Sequence, residues 1–302
     1  MSEEKIISFD QLISIVKSKE GKKLAIASAE GEEIIEAVKR ATEEEIISAV
    51  LIGDQAKIEE LCKRKNLDLN QVEIVNVPDF ELTARVAVET VKLGKAEMLM
   101  KGKVGTSTLL KAVLDKESGL RTGALLSHVS VIEVEAYHKL MLVTDGGMNI
   151  KPDIKQKSDI LKNAVDVAKK LGIERPKVSC LAAVELVNPD MQETIDAAGL
   201  VKMAERGDIA GVIMDGPIAF DVAINLEAAR TKGIVSPVAG DTDIFLVPDI
   251  ASGNIFVKSL IYLANAKVGG VVAGAGAPIV LLSRSDSAAT KLYSMALGAA
   301  IC

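Results

Sequence analysis

Short apolar runs rich in Val, Ile and Leu alternate with longer stretches of helical period along the chain, and this alternation limits the fold more than any other feature. The runs are LAIAS (24–28), AVLIG (49–53), VEIVNV (72–77), EMLMK (97–101), GALLSHVSVIE (123–133) and KLMLVTD (139–145), then VSCLAA (178–183), GVIMDG (211–216), IFLVPD (244–249), VGGVVAG (268–274) and PIVLLS (278–283). Leu82, Val86, Val88 and Val91 lie near one face of a helix over 80–94, as do Ile160, Ala164, Val167, Ala168 and Leu171 over 159–171 and Ala289, Leu292, Tyr293, Ala296 and Ala300 over 286–301. Repeated strand–helix alternation predicts an α/β fold, with a mostly parallel sheet covered by helices on its faces. The runs 123–133 and 139–145 follow one another without a helix between them. A lobe boundary or an antiparallel insertion is expected there.

A chain of 302 residues suggests one large or two medium domains. Aromatic residues make up 3% with no Trp, so the core must be built from Ala, Val, Ile and Leu, which suits strands buried on both faces. The net charge of −6 argues against nucleic acid, whose non-specific capture needs clustered Lys and Arg. It leaves room for a small anion in a locally positive pocket. Cys62, Cys180 and Cys302 are odd in number and far apart, which predicts a reducing compartment rather than a disulfide framework. The start MSEEKIISFD lacks the basic-then-apolar layout of a signal peptide, and the uncharged run 268–283 is too short and glycine-broken for a membrane span. A cytoplasmic location is expected, with no membrane partner.

Four segments carry candidate chemistry. In LMKGKVGTSTLL (99–110) a strand runs through Gly102 and Gly105 into Thr106, Ser107 and Thr108 at a helix start, with Lys101 and Lys103 beside them. Glycine allows close backbone approach, and free N–H groups with hydroxyls at a helix start bind anions; a plain capped turn is the ordinary alternative. In PIVLLSRSDSAATK (278–291) a strand ends at Ser283, Arg284 supplies a planar fork suited to phosphate, and Asp286 or Ser287 caps the next helix. In GVIMDGPIAFDVAI (211–224) Asp215 is read as ending a strand, with Asp221 in the following helix. These carboxylates suit a structural or ligand-orienting role. In VSPVAGDTDIFLVPDIASGNIFVK (235–258) Asn254 can cap or donate to a ligand, although turn chemistry accounts for most of the segment. His128 and His138 are the two histidines, and both flank apolar strands. They read as structural or surface residues, and no metal cluster is expected.

Taken together and in order, DGPIAFDVAI (215–224), SPVAG (236–240), LVPDIASGN (246–254), MLVTDGGMNIKPD (141–153), LMKGKVGTST (99–108) and the Ser283-Arg284 pair resemble the phosphate acetyltransferase and phosphate butyryltransferase family. The ending SRSDSAATK is more similar to the butyryl branch. The resemblance implies two α/β lobes with a cleft between them, like the isocitrate and isopropylmalate dehydrogenases. One lobe would take residues 1–130 with 271–302, and the other residues 131–270 with the interface of a homo-oligomer. It implies acyl transfer between coenzyme A and inorganic phosphate (butanoyl-CoA + phosphate = butanoyl phosphate + CoA) without a metal or bound cofactor. By resemblance Ser283 steadies the tetrahedral oxyanion and Arg284 binds phosphate. The acetyl branch has an Asp base seven residues after that serine; here the position is Thr290, and Asp286 is the nearest substitute. An arginine usual in the helix after the hydroxyl-rich turn is also absent; Lys111 is the nearest cation and Arg121 follows further on, with Lys103 and Arg121 as the candidate phosphate contacts. Acetyl transfer, a metal-dependent decarboxylating dehydrogenase on the same fold and a non-catalytic acyl-CoA sensor are the alternatives.

Overall fold

The computed structural model describes residues 5–19, 21–281 and 286–302. The chain forms two compact units: Phe9–Ala124 with Gly269–Cys302, called outer here, and Leu125–Val268 with the N-terminal segment through Ser8, called middle.

The outer unit begins with α1 (Phe9–Ser18), β1 (Lys22–Ala27), α2 (Glu32–Glu43), β2 (Ile47–Gly53), α3 (Gln55–Lys65), β3 (Val72–Asn76), α4 (Leu82–Lys92), β4 (Met98–Lys101) and α5 (Thr106–Val113). The middle unit carries β5 (Ser127–Glu133), β6 (Met141–Thr144), α6 (Ile154–Lys170), β7 (Lys177–Leu181), α7 (Gln192–Glu205), β8 (Ile213–Ile218), α8 (Phe220–Ile224), α9 (Leu226–Thr231), β9 (Ile244–Leu246) and α10 (Ile250–Leu263). The chain returns to the outer unit through β10 (Lys267–Ala273), then β11 (Ile279–Val280) and α11 (Ala288–Ala300).

Outer strands run in the order β3-β2-β1-β4-β11-β10 and middle strands in the order β5-β6-β9-β7-β8. Pairing is parallel from β3 through β11 and from β6 through β8. It is antiparallel for β10 with β11 and for β5 with β6, where the sequence lacks a helix. Leu24–Ala27, Leu51, Ile52 and Met98–Met100 are fully buried, as strands covered on both faces must be. The middle unit gathers half of the chain's eight aromatics into one cluster: Phe245 meets Phe220, Phe256 and Tyr137 within ring-centroid distances of 6.1–6.5 Å.

Several boundaries differ from the sequence reading. β9 stops at Leu246 because Pro248 offers no N–H to the ladder and Asp249 caps the next helix through a capping box with Ser252. That helix, α10, is hidden in the sequence because IASGNIFVKSLIYL is apolar nearly all round and so has no clear period. Asp215 does not end a strand. It sits inside β8 opposite Ser179, and a bulge follows, with Leu181 opposite Ile218.

The amino edge of the middle strands is held by charge. Asp243, 4% exposed, accepts from Lys139 at 2.8 Å, from Lys5 at 3.1 Å and from the Lys177 N–H at 2.8 Å. Asp241 binds Lys139, Lys177 and His138 at 2.7–2.9 Å. Burial alone would raise the Asp241 carboxyl; hydrogen bonds from Lys139, Lys177 and His138 outweigh it and hold the group well below the usual carboxylate range.

Removing one member of a buried ion pair leaves the other charge uncompensated. Asp243→Ala is therefore expected to lower unfolding free energy by about 3–5 kcal/mol, measured by denaturant titration. Because the folded Asp241 carboxyl is depressed, its contribution is fully present above about pH 4, the unfolded value, and is lost as pH falls below it. The denaturation midpoint of the wild type should thus fall more steeply between about pH 5 and pH 3 than that of Asp241→Asn, and less so in high salt because Asp241 is half-exposed.

Candidate functional site

In open α/β sheets ligands bind outside the carboxyl ends of the strands, at the point where strand order reverses. In the outer unit that point lies between β1, which leads to β2 on one side, and β4 on the other. The turn after β4 is clamped there. Gly102 and Lys103 donate their N–H groups to Ala27 O at 2.9 Å and Ser28 O at 2.8 Å. A Cβ on Gly102 would lie 2.2 Å from Ser28 O, so only glycine fits. Ser28 itself is buried in the left-handed region at φ 57°, its hydroxyl 2.6 Å from that of Thr83. Nothing in the sequence marks Ser28, because its role depends on a turn far along the chain.

This clamp sets the start of α5. Gly105 is its N-cap and has no side chain to cap it, so the first amides, at Thr106, Ser107 and Thr108, have no side-chain acceptor among the described residues. Lys103, Thr106 and Ser107 are exposed around that end. Free helix amides, two hydroxyls and an ammonium group make a site for a phosphate-sized anion. Another carboxylate lies at the same sheet edge: Glu30 accepts from the Asp54 N–H at 2.7 Å through Oε1, while its buried Oε2 has no hydrogen-bond partner among the described residues.

Arg121 is not brought to that end. Leu120 N–H bonds Val113 O at 2.8 Å, which ties Arg121 to the far end of α5. An eight-residue helix separates it from Thr106 by about 12 Å. Arg121 instead bridges Ala275, flanked by bonds from Thr122 Oγ1 to Gly274 O and from Gly276 N–H to Leu120 O.

β11 pairs Val280 with Met100, so its carboxyl end matches that of β4. Ser283 and Arg284 lie outside the described residues. Asp286 is half-buried just before α11, whose cap is Ser287 rather than Asp286, since Ser287 Oγ accepts from Thr290 N–H at 3.1 Å. Thr290, at the position of the acetyl-branch Asp, is part of that cap through a 3.0 Å contact between hydroxyl oxygens.

In the middle unit the carboxyl ends of β6 and β9 carry two interlocked loops. The Asp145 carboxylate accepts from the N–H groups of Gly147, Met148 and Asn149 and from Asn149 Nδ2. Asn254 Nδ2 donates to Gly146 O at 3.3 Å. Asn254 is exposed in the first turns of α10 and caps nothing; Asp249 is the cap. Asp215 stays apart, two strands from β9 or about 10 Å along the sheet, with Oδ1 taking the Gly216 N–H at 2.8 Å. Asp221 does not pair with it; Lys232, 2.9 Å away, lowers the Asp221 carboxyl by a direct hydrogen bond.

Burial pushes the Cys180 thiol up to about 12, so it stays protonated and unreactive. No group of three metal-ligating side chains occurs among the described residues, and no helix among them is long and apolar enough to cross a membrane.

Residues 8–84 and 80–299 match the family model described as phosphate acetyl/butaryl transferase. The chain is 48% identical over 296 residues to the phosphate butyryltransferase of Clostridium acetobutylicum, covering 98% of each chain. It is 43% identical to the phosphate acetyltransferase of Thermotoga maritima, covering 96% of this chain and 98% of the other. The crystal structure of a branched-chain phosphotransacylase from Enterococcus faecalis superposes with a TM-score of 0.83 at 35% identity, covering 93% of this chain and 98% of that one. A mostly parallel α/β architecture, an anion-ready turn at the strand switch and similarity over nearly the full length lead to one assignment: the chain belongs to the phosphate acetyl/butyryl transferase family of acyltransferases.

Proposed function

We propose that this protein is a phosphate butyryltransferase, moving a butanoyl group between coenzyme A and inorganic phosphate. The observation that carries the reading is the 48% identity over 98% of both chains to a protein of that name. The turn clamped to Ser28 supports it with a place for phosphate. On this reading the α5 amides, Thr106, Ser107 and Lys103 hold the phosphate together with Arg284, while Arg121 acts only through loop 274–277, which it braces.

A phosphate oxygen attacks the thioester carbonyl, and a tetrahedral oxyanion forms. Ser283 donates to that oxyanion, an interaction worth roughly 3–4 kcal/mol in comparable sites. The C–S bond then breaks and the coenzyme A thiolate leaves. In the other direction Asp286 accepts the thiol proton, and the thiolate attacks the acyl phosphate. Asp215 and Asn254 orient the coenzyme. Neither direction calls for a metal or a bound cofactor.

The same reading assigns a homo-oligomer built through the middle unit. Support comes from α10, an apolar helix with one buried residue, on which Ile255, Tyr262 and Leu263 are 66%, 68% and 84% exposed. A helix apolar on all sides needs cover.

Thiol release from butanoyl-CoA in EDTA should depend on phosphate. The kcat/KM for butanoyl-CoA should exceed that for acetyl-CoA by about thirtyfold or more, since each of the two added methylenes contributes about 1–3 kcal/mol in an apolar pocket. An acetyl preference would move the protein to the acetyl branch, and no release from either substrate would overturn the transferase reading. The double variant Ile255→Asp, Tyr262→Asp should run at monomer mass by light scattering; an unchanged multimer mass would remove α10 from the interface.

A further inference from the structure

Four contacts clasp the β6–α6 loop to the β9–α10 loop. Val247 N–H donates to Thr144 O at 2.9 Å, and Ile250 N–H to Ile150 O at 3.2 Å. Gly146 and Gly253 pack backbone to backbone, so closely that a Cβ on Gly253 would lie 2.8 Å from the Gly146 Cα. Asn254 Nδ2 reaches Gly146 O at 3.3 Å.

One carboxylate shapes the first of these loops. Asp145 is 3% exposed. Its Oδ1 takes the N–H groups of Gly147 at 2.8 Å and Met148 at 2.9 Å, and its Oδ2 takes Asn149 N–H at 3.3 Å and Asn149 Nδ2 at 2.6 Å. Asn149 Nδ2 also donates to Leu126 O at 2.9 Å, anchoring the loop to the start of β5. Asp145 thus sets the direction of the Gly146 carbonyl.

A carbonyl only accepts, so the Asn254 amide nitrogen must face Gly146 and Oδ1 must face away from it. Asn254 is exposed at the carboxyl edge of the sheet, so Oδ1 presents an acceptor there. Phosphate at neutral pH offers mostly acceptors and repels this atom. Coenzyme A carries N–H donors in its pantetheine amides and its adenine amino group.

We propose that Asp145 is a positioning residue: through the Gly146 carbonyl it orients Asn254, whose Oδ1 accepts a hydrogen bond from an N–H group of the acyl-CoA. This rests on the transferase reading for its substrate, so binding is measured separately from turnover.

Calorimetric titration with coenzyme A reads the contact directly. Asn254→Ala should weaken coenzyme A binding about five- to tenfold, the worth of one neutral hydrogen bond, and leave the KM for phosphate unchanged. Asp145→Asn should give the same split. The double variant should bind no more weakly than the worse single variant, because both changes remove one contact. Asn149→Ala, which removes the Nδ2 bonds to the Asp145 carboxylate and to Leu126 O, offers a second cycle with Asn254→Ala should Asp145→Asn melt below the assay temperature. Pantetheine and adenosine 3′,5′-bisphosphate, titrated in parallel, tell the two N–H sources apart: the fragment that loses affinity in Asn254→Ala carries the donor. Multiplying effects in the cycles, coenzyme A binding unaffected by Asn254→Ala, or a raised KM for phosphate would each overturn the proposal. Absence of turnover with coenzyme A binding still sensitive to Asn254 would overturn the transferase reading alone.

Discussion

Parallel strand pairing is the constraint on which the rest of the molecule depends. A parallel ladder needs a crossover between successive strands, and the crossovers cover both faces with helices. The strands are then reachable only at their ends. The two kinds of end have been given opposite work. In the middle unit the amino ends are locked by Lys139, Asp241, Asp243 and Lys177, and the carboxyl ends carry glycine turns and helix starts. Ion pairs suit the locked edge because they resist sliding. Glycines suit the other because backbones there must approach one another.

The strand switch in the outer unit shows how little the proposed phosphate site would need. Gly102 lies against the carbonyl oxygens of Ala27 and Ser28 at the end of β1, and Gly105 opens α5 without a side-chain cap. A capping side chain would have filled the amides. Free amides at a fixed place, with an ammonium group alongside, attract phosphate while the whole protein remains negative. The net charge and the local field therefore answer different questions.

The scarcity of aromatics has a consequence for assembly. Phe220, Phe245 and Tyr137 are spent on one cluster with Phe256 of α10. The outer side of that helix keeps Ile255, Tyr262 and Leu263 in solvent. Burying a side chain of this size is worth roughly 1.5–3 kcal/mol, so covering three of them would be a sizeable driving force for association.

The sequence by itself determined the α/β class, the alternation of strands and helices, the break in that alternation before β6 and the hydroxyl-rich turn at 105–108. Each follows from local pattern: period, β-branching and glycine placement need no distant partner. Family membership was legible too, because it rests on ordered motifs along the chain. Tertiary structure decided the rest. Asp215 lies within β8 because the ladder with β7 continues to Ile218, and a ladder is a property of two strands. Arg121 faces loop 274–277 because α5 turns the chain away from Thr106. α10 forms from a sequence with no clear period because Phe256, Val257 and Leu260 pack on the middle core. The clasp between Asp145, Gly146 and Asn254 joins residues 109 positions apart, with hydrogen bonds of fixed direction. Direction belongs to the folded backbone, and no residue type carries it alone.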